Sequence, residues 1–501
     1  MSGVSAKHVV VVGAGPAGLA AARAAADAGA RVTVLDAADV LGGQYWRHLP
    51  AERPAGREHL LHHNWDTYRA LVDALRAHPA VTVVPTAQVW SLEQVSSPEE
   101  VSSPGRPDGG VRLNVLVGEP DGAGRAARTF EPDALVLATG AHDQTLPFPG
   151  WQLPGVYSAG AAQALAKGER VAVGRRVVVA GAGPFLLPVA SSLLRTGATV
   201  LGVHEASRTG SLARGWLDRP WELAGAVGKA GELAGYVGEL VRHRVPWRPG
   251  EAVVAAHGDG QVEAVTIARL DARWAPVPGT ERQVEADAVA VSHGFTPRLE
   301  LAVAAGCALT PNRFVVVDDA QATSVPGVWA AGEITGIGGA DAALAEGAVA
   351  GTAAAGGDLG SGAAAHAVRA RDRARAFAAR IEAAHGIRGG WVRWLRDDTV
   401  VCRCEETTYG RVREVVELTA SRETRSVKLT SRAGLGPCQA RMCGRTLQEL
   451  LDDGGSDGAP GVDRRPVVVP VRLGDLAALP SPSTSRPTAT SHSIATTGDL
   501  T

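Results

Sequence analysis

Twice along the chain an unbroken apolar run gives way to a glycine turn, then to a small-residue stretch of helical period, then to a second apolar run ending in a carboxylate. The first copy is Val9-Val10-Val11-Val12, Gly13-Ala-Gly15-Pro-Ala-Gly18, an alanine-rich segment to Ala28 stopped by Gly29, and Arg31-Val-Thr-Val-Leu35-Asp36. The second lies 168 residues on: Arg176-Val-Val-Val-Ala180, Gly181-Ala-Gly183-Pro-Phe-Leu186, a helix to Arg195, and Thr199-Val-Leu-Gly-Val203-His-Glu205. Runs without polar interruption predict strands covered on both faces, as in parallel sheets, and the segments between them predict crossover helices. The pattern predicts an α/β protein with two Rossmann-like units.

The first copy is a full dinucleotide fingerprint in its required context. Gly13 makes the tight turn, Gly15 admits backbone close to a pyrophosphate, and Gly18 lets the helix approach the strand. The helix N-terminus faces the phosphates, and Asp36 can accept from a ribose 2′-hydroxyl. In the second copy Leu186 replaces the third glycine, which predicts a helix pushed off its strand or an altered turn. Glu205 is placed for a ribose hydroxyl, and no arginine pair follows it to take a 2′-phosphate. Gly181, Gly183 and Glu205 are candidate contacts of a second nucleotide, with NAD, another adenine nucleotide or no ligand all open.

Downstream segments bear on the first nucleotide. Val136-Leu-Ala-Thr139-Gly140 is a strand entering a Thr-Gly turn, and Gly327-Val-Trp-Ala-Ala331-Gly332-Glu333 is a buried strand with an acid past its glycine. Gly338-Gly339-Ala340 then opens a small-residue helix, 341–351. With the first turn, these resemble the two-dinucleotide-binding-domain flavoproteins, the group of ferredoxin reductases and glutathione-reductase-like enzymes. The resemblance implies FAD, held by Gly13, Gly15, Gly18, Asp36, Gly42, Gly43, Gln44, Thr139, Gly140, Gly332, Glu333, Gly339 and Ala340. In that group the acid at the position of Glu333 holds the ribityl chain and is usually Asp, so the extra methylene predicts a shifted or water-bridged contact. Disulfide reductases of this architecture carry a cysteine pair just after the second strand or in the nicotinamide domain. Here the first location reads Leu41-Gly42-Gly43-Gln44-Tyr45-Trp46-Arg47 and the second has no cysteine, which excludes that activity. Cys307, alone in an apolar stretch, reads as a buried structural thiol.

Composition sets outer bounds. At 501 residues and 45% hydrophobic, the chain can fill about three cores. Its formal charge of -2 makes no electrostatic case for nucleic acid or a membrane surface. No apolar run approaches the roughly 18 residues of a membrane span, and the N-terminal segment lacks the apolar core of an export signal. A cytoplasmic location is expected. Residues 96–110 read as a polar surface loop, and the Ser-, Thr- and Pro-dense end from Ser481 as a disordered tail.

Four of the five cysteines fall within 42 residues, as Cys402-Arg-Cys404 and Cys438-Gln-Ala-Arg-Met-Cys443, with 33 residues between the pairs. In a reducing compartment such pairs point to metal or redox chemistry before disulfides. The Cys-x-Cys half does not match a zinc knuckle, and four thiols with no histidine nearby suit an iron–sulfur cluster, with zinc and free thiols as alternatives. Gly434 and Gly436 leave N–H groups free to donate to sulfur, and Arg403, Lys428, Arg432, Arg441 and Arg445 are close in sequence.

From about His8 to Asp452 the chain resembles the FAD-binding subunit of bacterial amine and amino-acid dehydrogenases: hydrogen cyanide synthase, the opine oxidases, and the proline and hydroxyproline dehydrogenase complexes. The shared phrases are Gly42-Gly43-Gln44, Pro149-Gly150-Trp151-Gln-Leu-Pro-Gly155-Val, Gly160-Ala-Ala-Gln163, the Gly181 turn with its Leu186-Leu, Gly294-Phe-Thr-Pro297, Gly332-Glu333-Ile-Thr-Gly336-Ile and Ala433-Gly434-Leu-Gly436-Pro437-Cys438-Gln439-Ala-Arg441-Met-Cys443. The cysteine region resembles the [2Fe–2S] domain of bacterioferritin-associated ferredoxin, a small helical module, which implies Cys402, Cys404, Cys438 and Cys443 as its ligands. The expected organisation is a discontinuous FAD domain (1–150 and 286–355), a second Rossmann domain (151–285), a helical linker (356–394), the cluster domain (395–452) and a tail (453–501), largely disordered from about 480.

The resemblance also implies a relay. A glycine-oxidase-like partner flavoprotein oxidises an amino or imino acid of opine, hydroxyproline, proline or glycine type, and this chain passes the electrons on. The competing expectations are a stand-alone NAD(P)H-dependent ferredoxin-type reductase and a redox-sensing or docking module without turnover. No catalytic residue is assigned; His142, His293 and Gln44 are expected to hydrogen-bond flavin or fill space.

Overall fold

The computed structural model describes residues 6–50, 52–53, 58–95, 110–120, 122–225, 227–452 and 467–477. The expected surface loop, apart from Gly110, and most of the expected tail lie outside the described residues.

The first parallel sheet orders its strands Val328–Ala330, Ala134–Leu137, His8–Val12, Arg31–Leu35, Val81–Val84. The apolar run at its centre feeds two cores. Val9 and Val11 pack with the helices Pro16–Asp27 and Trp65–Ala77, while Val10 and Val12 pack against an antiparallel sheet, Ala87–Val95, Gly110–Val117 and Ala126–Phe130. Burial on both faces explains why the run carries no polar residue. The long helix Gly339–Ala355 lies against Pro16–Asp27 at backbone distance. A Cβ on Gly347 would stand 2.1 Å from the Ala17 carbonyl oxygen, and one on Gly351 equally close to that of Ala21, so only glycine lets the two helices approach this far.

The second unit repeats these layers. Its sheet runs Trp247–Pro249, Thr199–Glu205, Arg176–Gly181, Ala288–Ser292, Val156–Ser158. One face carries the helices Ala159–Gly168 and Leu186–Arg195; the other carries the antiparallel strands Glu251–His257, Ala264–Arg269 and Arg282–Glu285. Because Ala288–Ser292 pairs with Arg176–Gly181, the chain by strand pairing returns to the first sheet only after Ser292, later than the expected residue 286. The two connections between the units, Ala141–Asp143 and Phe295–Pro297, pair antiparallel with each other.

The helix Gly362–His385 and the turn Gly389–Trp394 lead to the cysteine-bearing module. Trp391 and Trp394 anchor the turn in a core with Leu146 and Trp274. The module itself has a two-strand pair, Val400–Cys402 with Thr407–Thr408, and helices Tyr409–Thr419, Thr424–Ser431 and Gly444–Leu451 around Val401, Val412, Val415 and Leu447. No helix among the described residues is long and apolar enough to cross a membrane.

Candidate functional site

One continuous cavity of about 3990 Å³ runs between the two nucleotide folds and along the cysteine module. A pocket for one small ligand holds about 300–1,000 Å³, so this one has room for a dinucleotide and more. Of the residues expected at FAD, Gly13, Gly15, Asp36, Gly43, Gln44, Thr139, Gly140, Gly332, Glu333, Gly339 and Ala340 line it. Gly18 and Gly42 stand behind the wall and shape it: a Cβ on Gly18 would lie 1.7 Å from the Gly13 carbonyl oxygen, and one on Gly42 would lie 2.9 Å from Cβ of Trp46. Gly43 brings its loop onto the phosphate turn, its missing Cβ facing the Cα of Gly15 at 2.8 Å.

These residues fit a flavin dinucleotide. The helices Pro16–Asp27 and Gly339–Ala355 both begin on the cavity wall at glycine N-caps without a side-chain cap. Several of their first N–H groups therefore lack intrahelical partners, a favourable setting for phosphate or carbonyl oxygens. Asp36 accepts from the N–H of Ala38 at 2.7 Å and from that of Ala14; burial raises its pKa against the pull of both bonds. Glu333 accepts from the Gly339 N–H at 3.2 Å, so its carboxylate is already committed to the helix start. Burial pushes Glu333 up to about 7, with Glu346 and Asp143 adding to the rise and the Gly339 N–H opposing it.

The second turn differs as Leu186 predicts. The first helix starts at Pro16, directly after its second glycine, whereas the second starts at Leu186, three residues after Gly183. Leu186 is buried in the core of the unit, so the chain makes short turns (Leu186 N–H to Gly183, Leu187 N–H to Pro184) before the helix begins. Gly181 is behind the wall, its Cβ position 1.7 Å from the Ser292 carbonyl oxygen, while Gly183 and Glu205 line the cavity. Glu205 accepts from the N–H groups of Gly183 (2.9 Å) and Ser207 (3.0 Å), and His385 from the linker helix stands 3.2 Å away. Trp216 donates its indole N–H to Nε2 of that histidine, which leaves the ring proton on Nδ1, facing Glu205. A ribose hydroxyl would have to share this carboxylate with three donors.

Cys402 and Cys443 lie together in the module's core, with Cys404 and Cys438 towards its surface. Among the described residues no three His, Cys, Asp or Glu side chains are placed to hold a single metal ion. Four cysteines from two segments, with no histidine among them, supply the two thiolates per iron that a [2Fe–2S] centre would need. Gly434 donates its N–H to Sγ of Cys402 at 3.3 Å. The Cys402 thiol is held down to about 6 by the neighbouring Cys443 thiol, with burial opposing and the N–H groups of Gly434, Glu405 and Cys404 assisting. Cys402 and Cys443 are buried; Cys404 is exposed.

The arginines expected near these sulfurs are mostly committed elsewhere. Arg403 lies over the Trp151 ring at 5.1 Å, Arg432 pairs with Glu405 (2.7 Å), Arg441 with Glu300 (2.6 Å) and Arg445 with Glu449 (2.9 Å). Arg441 and Arg403 thereby also clamp the module onto the rest of the chain, joined by Gln144 donating to Glu449 at 3.0 Å. Arg441, Met442 and Arg445, next to Cys443, face the shared cavity.

His293 is a core histidine: its Nδ1 accepts from the Leu146 N–H, its ring packs near Trp274 and Trp394, and burial drives it down to about 3. His142 is held neutral, to about 4, by burial and then by Arg298 and Arg441, and its Nε2 has no partner among the described residues. Gln44 is exposed on the cavity wall. Cys307 is buried, and burial raises its thiol. Two wall residues, Gln163 and Lys167, were not among the expected site residues; their spacing of four on the helix Ala159–Gly168, next to Gly160-Ala-Ala, is the sequence signal that places them on one face.

Residues 7–347 match the pyridine nucleotide-disulphide oxidoreductase family, and residues 400–453 match the BFD-like [2Fe-2S] binding domain. The chain is 33% identical to an opine oxidase subunit of Rhizobium meliloti, over 94% of this chain and 87% of that one. It is 34% identical to hydrogen cyanide synthase subunit HcnB of Pseudomonas aeruginosa, over 67% of this chain and 72% of that one. Among solved structures, L-proline dehydrogenase from P. horikoshii shares the fold at a TM-score of 0.62 with 18% identity, over 94% of this chain and 79% of that one.

Proposed function

The chain belongs to the pyridine nucleotide-disulphide oxidoreductase family, and on that premise we propose that it is the electron-relay subunit of an amino- or imino-acid dehydrogenase complex. It is an FAD-dependent oxidoreductase carrying a BFD-like [2Fe-2S] domain, and it is related to proteins named as subunits. The proposal adds the direction of flow: a partner flavoprotein of glycine-oxidase type oxidises the substrate, and this chain carries the electrons from that reaction to an acceptor. Flavin, when bound, can take two electrons and release them singly, and a [2Fe–2S] centre carries one.

The observation that carries the reading is the shared cavity. The glycine cradle around Gly15, Gly43 and Gly332 and the Arg441-Met442 wall of the cysteine module face the same space. The chain's own residues position and insulate. Trp391, Trp394 and Trp274 hold the module's root in an apolar core, Arg441–Glu300 fixes its face, and the exposed Cys404 leaves the module open to an outside acceptor. Where a disulfide reductase of this architecture carries its cysteine pair, this chain has Tyr45 and Trp46, so no thiol relay competes at that position.

The second nucleotide fold speaks against the NAD(P)H-reductase reading, since Leu186 delays its helix and His385 occupies one side of Glu205. Mixing the flavin-loaded protein with NADH or NADPH in a stopped-flow instrument is expected to leave the flavin absorbance unchanged over the first second. Bleaching within milliseconds by either nucleotide would establish the reductase instead.

A further inference from the structure

Lys167 is a buried cation with no anion beside it among the described residues. It is only 6% exposed, at the C-terminal end of the helix Ala159–Gly168. Nζ donates to the Tyr45 carbonyl oxygen at 3.2 Å and lies 5.6 Å from the centre of the Tyr45 ring. The carboxylate that bears on it electrostatically, Glu232, is held by Lys229 at 3.1 Å and by the Tyr236 hydroxyl at 3.3 Å. An ammonium has three N–H groups, and a buried one without a counter-charge is costly.

A second observation is independent of charge. Gln163, one helical turn before Lys167, is 7% exposed and has no hydrogen-bond partner among the described residues, yet it lines the central cavity. Buried amides are normally satisfied within the protein or by what they bind. Residues four apart share a helix face, so amide and ammonium point into the same part of the cavity, beside Gly43, Gln44 and Tyr45.

We propose that Gln163 and Lys167, with the Tyr45 loop as floor, form a binding site for the carboxylate of a small organic acid, of the size of an amino or imino acid. A carboxylate accepts from both groups at once: the ammonium supplies charge and the amide N–H supplies direction. The site rests on the relay reading only for its position beside the flavin cradle; the carboxylate contact stands on the two side chains.

Calorimetric titration of the purified flavin- and iron-loaded protein with pyrrole-2-carboxylate, a planar and redox-inert acid, tests this, with pyrrole-2-carboxamide as the uncharged control. The acid is expected to bind at least about tenfold more tightly than the amide. Lys167→Met should weaken acid binding by roughly tenfold or more, Lys167→Arg should retain it within about threefold, and Gln163→Leu should weaken it about fivefold. Equal affinity for acid and amide, an unchanged Kd in Lys167→Met, or no heat up to about 10 mM acid would overturn the site. So would a Lys167→Met protein with an altered resting flavin spectrum but undiminished acid binding, because the cation would then serve the flavin itself. If Lys167→Met does not fold, Gln163→Leu decides alone, since it leaves the charge in place. Flavin and iron are quantified in every sample, so a missing cofactor, which would count against the relay reading, is read separately from a missing acid affinity.

Discussion

Gly15→Ala is expected to fold normally and to lose its flavin, whereas Gly18→Ala is expected to lose the fold around the turn. The two glycines are three residues apart and their missing side chains face different things. A Cβ on Gly15 meets nothing nearer than the Gly43 Cα at 3.9 Å, and its backbone, at φ -74 and ψ -173, suits any residue. The added methyl therefore disturbs no protein atom and stands in the space assigned to the pyrophosphate, where close approach is the reason for the glycine. Flavin affinity should fall by roughly a hundredfold, about 2.8 kcal/mol, with the thermal midpoint of the flavin-free protein unchanged. A Cβ on Gly18 would stand 1.7 Å from the Gly13 carbonyl oxygen, forcing the helix off the strand at about 3 kcal/mol. Flavin absorbance after gel filtration, paired with melting curves of the stripped proteins, separates the outcomes. A Gly15→Ala protein that keeps its flavin would remove this turn from the cofactor site.

Cys443→Ser is expected to abolish the iron–sulfur absorbance while sparing the flavin. Cys443 is buried in the module core with Val401, Cys402, Val412 and Leu447. The variant withdraws one of four thiolates and leaves a hydroxyl among apolar neighbours, at about 1–3 kcal/mol if it finds no partner. The module should therefore melt earlier, as metal-dependent small domains do when a ligand is lost. Flow from reduced flavin to a one-electron acceptor should drop at least about a hundredfold, while flavin reduction by substrate in the partner complex continues. Cys404→Ser provides the contrast: its thiol is exposed, so the module should keep its fold and hold a labile cluster. Iron content, visible spectra and acceptor reduction measured on the same samples decide the matter. Full acceptor turnover by an iron-free Cys443→Ser protein would remove the cluster from the path.

The strand–turn–helix units were legible because their signals are local. An apolar run buried on both faces, a glycine turn and a small-residue helix are written in consecutive residues, and Leu186 announced the altered second turn. The cysteine clusters stood out by their spacing, but which thiols are buried did not, because Cys402 and Cys443 enter one core only through the packing around Val401 and Val415. Arg445 and Glu449 are an i, i+4 pair that the helix itself provides, but Arg441 carried no sign of its partner Glu300, which comes from a distant segment. His293, expected to hydrogen-bond flavin or fill space, is packed near tryptophans of two separate regions, which no local signal names. Gln163 ends one of the shared phrases, Gly160-Ala-Ala-Gln163, but nothing in the sequence alone ties Lys167 to it as a site. What distinguishes them, a lysine without a counter-charge beside an amide without a partner among the described residues, becomes visible only when the cavity has walls.

The relay itself is tested most directly by anaerobic electron paramagnetic resonance of the cluster, with the chain alone and co-expressed with its partner flavoprotein. Each sample is mixed with a panel of opine, proline, hydroxyproline and glycine substrates, and with NADH. A reduced-cluster signal is expected from one substrate class, only in the co-expressed complex, and none from NADH. A signal from NADH in the isolated chain, or substrate turnover by the complex with a cluster that stays oxidised, would contradict the relay.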